Sequence, residues 1–187
     1  MKLTKSRIYN LLLLIFVVLM LFTPVGTTVK IWVNRIIAFS PSPVPDQDRE
    51  RLEGYHWNLK TMEGGLYDFN EARGRVVLVN FWATWCPPCI AEMPALHRLY
   101  DSYGDRMLFL FVTGEDPETV EKFMKAKGWE ELPVYFPVSK VPEKMYSSSI
   151  PATWVLDKSG NIVISKKGTA AWDSEKVRQM LDQWIAE

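Results

Sequence analysis

Cys86 and Cys89 are the only cysteines in the 187-residue chain, and two residues separate them in the run Trp85-Cys86-Pro87-Pro88-Cys89. A pair this close can exchange electrons with another thiol pair, lock itself as a structural disulfide, or supply half of a metal site. A structural zinc site asks for four Cys or His ligands, and His56 and His97 are the only histidines, so the metal reading is short of donors. A structural disulfide stays open, although such bonds usually staple distant segments or scaffolds with little core. Exchange chemistry requires an ionisable thiol. Cys86 falls where an apolar strand pattern gives way to a helical one, and there a thiol meets the positive end of the helix dipole and unpaired N–H groups. Both stabilise the thiolate, so Cys86 is the expected exposed nucleophile. Cys89, one turn further in, is placed to attack a mixed disulfide on Cys86 and release the partner. Pro87 and Pro88 remove two backbone donors from the turn, which argues against an extreme oxidant. Trp85 offers a flat apolar surface for partner docking, whereas Trp82 is expected in the core.

The elements around the pair read as alternating strands and helices, an α/β pattern. Val76 to Trp82 is nearly continuous apolar and β-branched, as a central strand covered on both faces should be. Cys86 to about Tyr103 has helical spacing of Met93, Leu96, Leu99 and Tyr100, with Pro94 predicting a kink. Met107 to Val112 is the next buried strand. Asp116 and Pro117 then open a helix that Gly128 stops. Before the central strand, Trp57–Met62 and Leu66–Phe69 flank Glu63-Gly64-Gly65, a β-hairpin added to the sheet at its N-terminal end. After it come a strand at Val134–Val138 interrupted by Pro137, a helical turn near Pro142–Tyr146, and a hairpin of Thr153–Asp157 with Asn161–Ser165. A last helix starts near Asp173 or Ser174 and buries Val177, Met180, Leu181, Trp184 and Ile185.

The N-terminus has a different character. Lys2, Lys5 and Arg7 precede an apolar run from Ile8 through Val25, the pattern of an export signal or of a membrane-spanning helix. No Ala-x-Ala cleavage site follows, which favours an uncleaved anchor over residues 1–28. The flanking charges place the start in the cytoplasm and the bulk of the chain outside, although Lys30 and Arg35 blunt the asymmetry. Residues 29–50 read as an interfacial segment around Trp32 followed by a Pro-rich spacer, Ser40-Pro41-Ser42-Pro43-Val44-Pro45. Acidic and basic residues balance at 22 each, without the basic excess a nucleic-acid binder needs.

The stretch Val79-Asn80-Phe81-Trp82-Ala83-Thr84-Trp85-Cys86-Pro87-Pro88-Cys89 resembles the active-site strand and loop of the TlpA-like branch of the thioredoxin superfamily. Ile150-Pro151-Ala152-Thr153 resembles the cis-proline loop of that superfamily and Gly160-Asn161-Ile162-Val163 its last hairpin. The resemblance implies a thioredoxin-like domain over residues 51–187, with a central mixed sheet flanked by helices. It implies that Pro151 is cis and faces the cysteines, with Ile150 offering backbone hydrogen bonds to an extended partner. Many thioredoxins have a buried aspartate where this chain has Asn80, and relatives that act as extracytoplasmic reductants have a glutamate matching Glu92. From its position alone Glu92 reads as a solvated residue favoured by the helix dipole. The resemblance gives it proton transfer with Cys89, and burial would then raise its pKa toward neutrality. His97 reads as structural or surface.

The function so implied is disulfide reduction on the outer face of a bacterial cytoplasmic membrane, possible clients including proteins of cytochrome c maturation. Partners would be disulfide-bearing or dithiol proteins and a thiol electron donor, with no cofactor and no metal. Two rivals remain: a tethered binding or chaperone domain with a structural disulfide, and a thiol peroxidase. The Pro-x-x-x-Thr-x-x-Cys arrangement that peroxidase sites resemble is absent around Cys86.

Overall fold

The computed structural model describes residues 5, 9–15 and 39–187. Most of the expected anchor and interfacial segment lies outside the described residues. Residues 9–15 are helical with Leu11 through Ile15 exposed, and no helix among the described residues is long and apolar enough to cross a membrane.

Seven strands form one mixed sheet in the order β2-β1-β5-β4-β3-β6-β7. The strands are β1 (Asn58–Thr61), β2 (Leu66–Asp68), β3 (Val77–Phe81), β4 (Leu108–Val112), β5 (Val134–Pro137), β6 (Ala152–Leu156) and β7 (Ile162–Lys167). Three helices join them: α1 (Pro87–Tyr103), α2 (Pro117–Lys127) and α3 (Glu175–Ala186). β3 pairs in parallel with β4 and antiparallel with β6, so the strand that leads to the cysteines is interior to the sheet, as its apolar run predicts. The β1–β2 hairpin adds to the opposite edge through β5. Pro137 does not break β5. The ladder to β4 ends at Val112↔Tyr135, and Pro137 is paired on the β1 side alone, so its missing N–H is not needed by β4.

All three helices pack on one face, where Met93, Leu96, Val120, Met124, Val177, Leu181 and Trp184 meet Leu78, Phe111 and Val155. The helices that flank the sheet, as the resemblance implies, thus lie together on one side of it. The crossovers β3–α1–β4 and β4–α2–β5 step in the same direction along the sheet, and right-handed crossovers that do so land on the same side. The other face is closed by Leu52, Tyr55, Trp57, Phe69 and Met145, packed on Val77, Val79, Leu110 and Trp154. Helix α2 follows its sequence signals: Asp116 caps it by accepting from the Thr119 N–H, and Gly128 ends it at φ 67°. Helix α1 runs on through Pro94 as one 17-residue element.

Ser40–Pro45 forms neither helix nor strand, and it lies on the domain. The Ala171 N–H donates to the Phe39 carbonyl at 3.1 Å, Ser40 Oγ to Ser174 Oγ at 2.8 Å, and the Val44 N–H to the Val163 carbonyl at 2.9 Å, with Pro41 buried. The chain then continues along the outer side of β7, where Leu52 N–H reaches the Gly160 carbonyl.

Candidate active site

Strand β3 ends at Phe81, and five residues later Cys86 is the N-cap of α1. Pro87 and Pro88 occupy the first helical positions, where a backbone N–H would have no intrahelical partner in any case. Cys86 and Cys89 are joined as a disulfide, and the Cys89 N–H donates to Cys86 Sγ at 3.3 Å. The same N–H is placed to support a thiolate on Cys86 after reduction. Cys86 is 4% exposed and Cys89 1%, so in this oxidised form the expected exposed attacker is tucked in. The Cys86 side chain lies over the first turn of the helix, where its Sγ is bonded to Cys89 and accepts the Cys89 N–H. Trp85, just before it, is 70% exposed.

The loop that presents Trp85 and Cys86 is pinned by a residue the sequence does not single out. Glu115, beyond the end of β4, accepts the Thr84 N–H at 2.6 Å and the Thr84 hydroxyl at 2.7 Å. The Ile150–Pro151 peptide is cis, as the resemblance implies, and leads into β6, whose Ala152 is paired with Phe81 of β3. Trp85 and Ile150 share the walls of an open groove of about 400 Å³ with Trp82, Tyr146 and Ser147. Trp82 itself is buried.

Glu92, 2% exposed, is no solvated helix residue. Its Oε1 accepts from Asn80 Nδ2 at 3.0 Å, and its Oε2 accepts from the Ala170 N–H at 3.1 Å and Trp172 Nε1 at 3.0 Å. Burial pushes its carboxyl up to about 7, against the opposing pull of those three donors and of Lys166. Asn80 also donates to Thr153 Oγ1 at 2.8 Å, its cross-strand partner on β6. A buried carboxyl titrating near neutrality, one turn behind Cys89, can take or give a thiol proton. Ala170 and Trp172 were not legible as its partners; the sole trace is the Gly168-Thr169-Ala170 loop following β7. His97 lies apart, its Nε2 bonded to Glu131 Oε1 at 2.6 Å. With Asp101 these two form the one trio among the described residues whose ligand atoms approach within 4.8 Å, on the surface and already closed by that contact.

A thioredoxin-like α/β sheet with a Cys-x-x-Cys disulfide at a helix N-terminus and a cis-proline loop beside its strand defines a thiol-disulfide oxidoreductase scaffold. Residues 54–165 match the model of the AhpC/TSA family. The chain is 34% identical over 139 residues to thioredoxin-like protein YneN of Bacillus subtilis strain 168, covering 72% of this chain and 79% of the relative. It is 33% identical over 127 residues to the thiol-disulfide oxidoreductase ResA of Geobacillus thermodenitrificans strain NG80-2, covering 66% and 71%. The exposed lipoprotein thioredoxin of Streptococcus pneumoniae strain TIGR4 matches in structure with a TM-score of 0.57 and 26% identity, over 67% of this chain and 97% of that one. The chain belongs to the AhpC/TSA family and, within it, to the TlpA-like thiol-disulfide oxidoreductases.

Proposed function

We propose that this enzyme reduces protein disulfides outside the bacterial cytoplasmic membrane, with Cys86 attacking, Cys89 resolving and Glu92 handling the proton of Cys89. The observation that carries the reading is the buried Glu92 carboxyl, raised to about 7, three residues after the second cysteine of a disulfide that caps α1. In the reducing direction, the Cys86 thiolate attacks a client disulfide, and one client sulfur leaves as a thiolate that takes up a proton from water. Cys89 then gives its proton to Glu92 and attacks Cys86, releasing the second client thiol and closing the Cys86–Cys89 bond. Two electrons pass to the client, and an external thiol donor restores the dithiol. Trp85, Pro87, Pro88, Ile150 and Pro151 form the docking surface, an extended client segment lying beside Ile150.

Residues 1–28 act as the single-pass anchor, 29–50 as the connecting segment and 51–187 as the catalytic domain on the periplasmic or extracytoplasmic side. The charge pattern ahead of the apolar run and the exposed Leu11–Ile15 support this arrangement. The kinship with ResA supports a client among proteins of cytochrome c maturation. The test is Cys89→Ser in the full chain, expressed in a bacterium and run on non-reducing gels. Reductant-sensitive adducts on Cys86 are the expected result. Their absence would refute exchange and leave a binding domain with a structural disulfide.

A further inference from the structure

We propose that Asn80 is a positioning residue for proton transfer at Glu92, its amide turning over when the carboxyl takes up a proton, so that Thr153 beside the Pro151 loop senses the change. The proposal rests on the reading that Glu92 exchanges a proton with Cys89. Glu92 Oε2 faces the Ala170 N–H and the Trp172 indole N–H, neither of which can become an acceptor. An arriving proton therefore settles on Oε1, which faces Asn80 Nδ2 at 3.0 Å, and two donors then meet. A half-turn of the Asn80 amide removes the conflict by presenting Oδ1 to the new hydroxyl.

Such a turn usually forfeits bonds at the other end of the amide. Here Oδ1 is buried and has no hydrogen-bond partner, so the turn breaks no bond at that end and leaves the NH2 that takes its place unpaired. Nδ2 donates to both Glu92 and Thr153 in the ionised state; after the turn Oδ1 accepts from both. The Thr153 hydroxyl follows by rotating, since it can serve as donor or acceptor. The chain Glu92–Asn80–Thr153 thus reverses the direction of its hydrogen bonds while all three side chains stay in place, each 2% exposed or less. Thr153 lies two residues beyond Pro151, so the proton state of the acid-base group is passed to the strand that leads out of the partner-docking loop. An aspartate at position 80 would add a second titrating charge; asparagine provides donor and acceptor while staying neutral.

Other charged and titratable groups face Glu92 as well. Lys166 acts from β7, Arg98 and Asp173 line the cavity that Glu92 also lines, and Cys86 and Cys89 share its helix. Of these only Lys166 shifts Glu92 by its charge, and the two cysteines are joined as a disulfide; none is among its hydrogen-bond partners, so none can reverse with it.

The experiment is NMR on the oxidised full chain in micelles, following the Asn80 side-chain NH2 and the Glu92 carboxyl carbon across pH. Nuclear Overhauser contacts from the Asn80 NH2 to the Thr153 methyl are expected above the Glu92 midpoint and should vanish below it, with one shared midpoint. Contacts that persist unchanged through the Glu92 titration would overturn the proposal. In Asn80→Leu, which removes a donor from the ionised carboxyl and an acceptor from the protonated one, the two losses offset each other and the midpoint of exchange activity should stay within about threefold in proton concentration of the parent. A rise of about tenfold or more, as an amide that only donates would give, would overturn the proposal. Glu92→Gln separates the two readings. An unchanged activity profile there removes proton transfer by Glu92 altogether, whereas a flattened profile with static Asn80 contacts in the parent chain removes the amide turn alone.

Discussion

Replacing Glu92 with Gln should make the protein more stable at alkaline pH, although it removes the carboxyl assigned to catalysis. Burial raises the Glu92 carboxyl from an ordinary 4.5 to about 7 in the folded chain. Between those values the folded protein holds a proton that the unfolded chain releases. The contribution of Glu92 to stability is therefore fully present below about 4.5 and is lost as pH rises through about 7. A displacement of this size corresponds to roughly 3 kcal/mol. Glutamine carries no such penalty: its oxygen can accept from Ala170 and Trp172, and its NH2 can face Asn80, whose own oxygen is free to turn. The stability of Glu92→Gln relative to the parent should thus grow by about 3 kcal/mol between pH 4.5 and 8. At pH 8 this amounts to a Tm gap of roughly 6–12 °C for a chain of this size. Urea denaturation of the oxidised full chain in micelles, followed by tryptophan fluorescence at several pH values, reads the difference directly, because every other titrating group is common to both proteins. Stability curves that stay parallel over the whole range would refute the assignment of the burial penalty to Glu92.

Glu115→Ala should free the loop before the cysteines by removing the acceptor of the Thr84 N–H and hydroxyl. The loss of about 1–3 kcal/mol of local ordering appears as roughly 5- to 150-fold faster hydrogen exchange at Thr84, with the α2 amides unchanged. Trp85→Ala should leave stability within about 0.5 kcal/mol, because the side chain is 70% exposed. It should slow exchange with a folded protein disulfide by roughly tenfold, since exposed aromatic anchors supply docking energy, while a small aromatic disulfide reacts at the parent rate. Equal slowing with both substrates would place Trp85 in the chemistry instead of the docking surface.

Much of the scaffold was legible because its signals are local. The β-branched run of β3, the Asp116-Pro117 start and Gly128 stop of α2, and the Cys86-x-x-Cys89 spacing at a strand-to-helix junction each specify their own neighbourhood. Glu92 shows where that ends. Helical spacing puts it on the same side as Cys89, but its burial depends on Ala170 and Trp172, about 80 residues later, and no periodicity links them. Glu115 is similar: it stands beyond the end of β4 and meets Thr84 because β3 and β4 are parallel neighbours ending together. The shared face of α1 and α2 follows from the strand order, which the identity of the elements alone leaves open.

The segment ahead of the domain has a consequence for geometry. Phe39 is held at Ala171, in the same loop whose Thr169 hydroxyl donates to the Pro88 carbonyl at 3.3 Å and whose Ala170 reaches Glu92. The polypeptide therefore enters the domain at the pole that bears the cysteines, and only afterwards runs along β7 to the far pole at Gly160. Across the length of β7 the two poles stand on the order of 20 Å apart. An anchor ending at residue 28 would leave residues 29–38 between it and Phe39, and would tether the domain from the end that bears the disulfide. The opposite pole is marked by Arg51, Arg73 and Lys158.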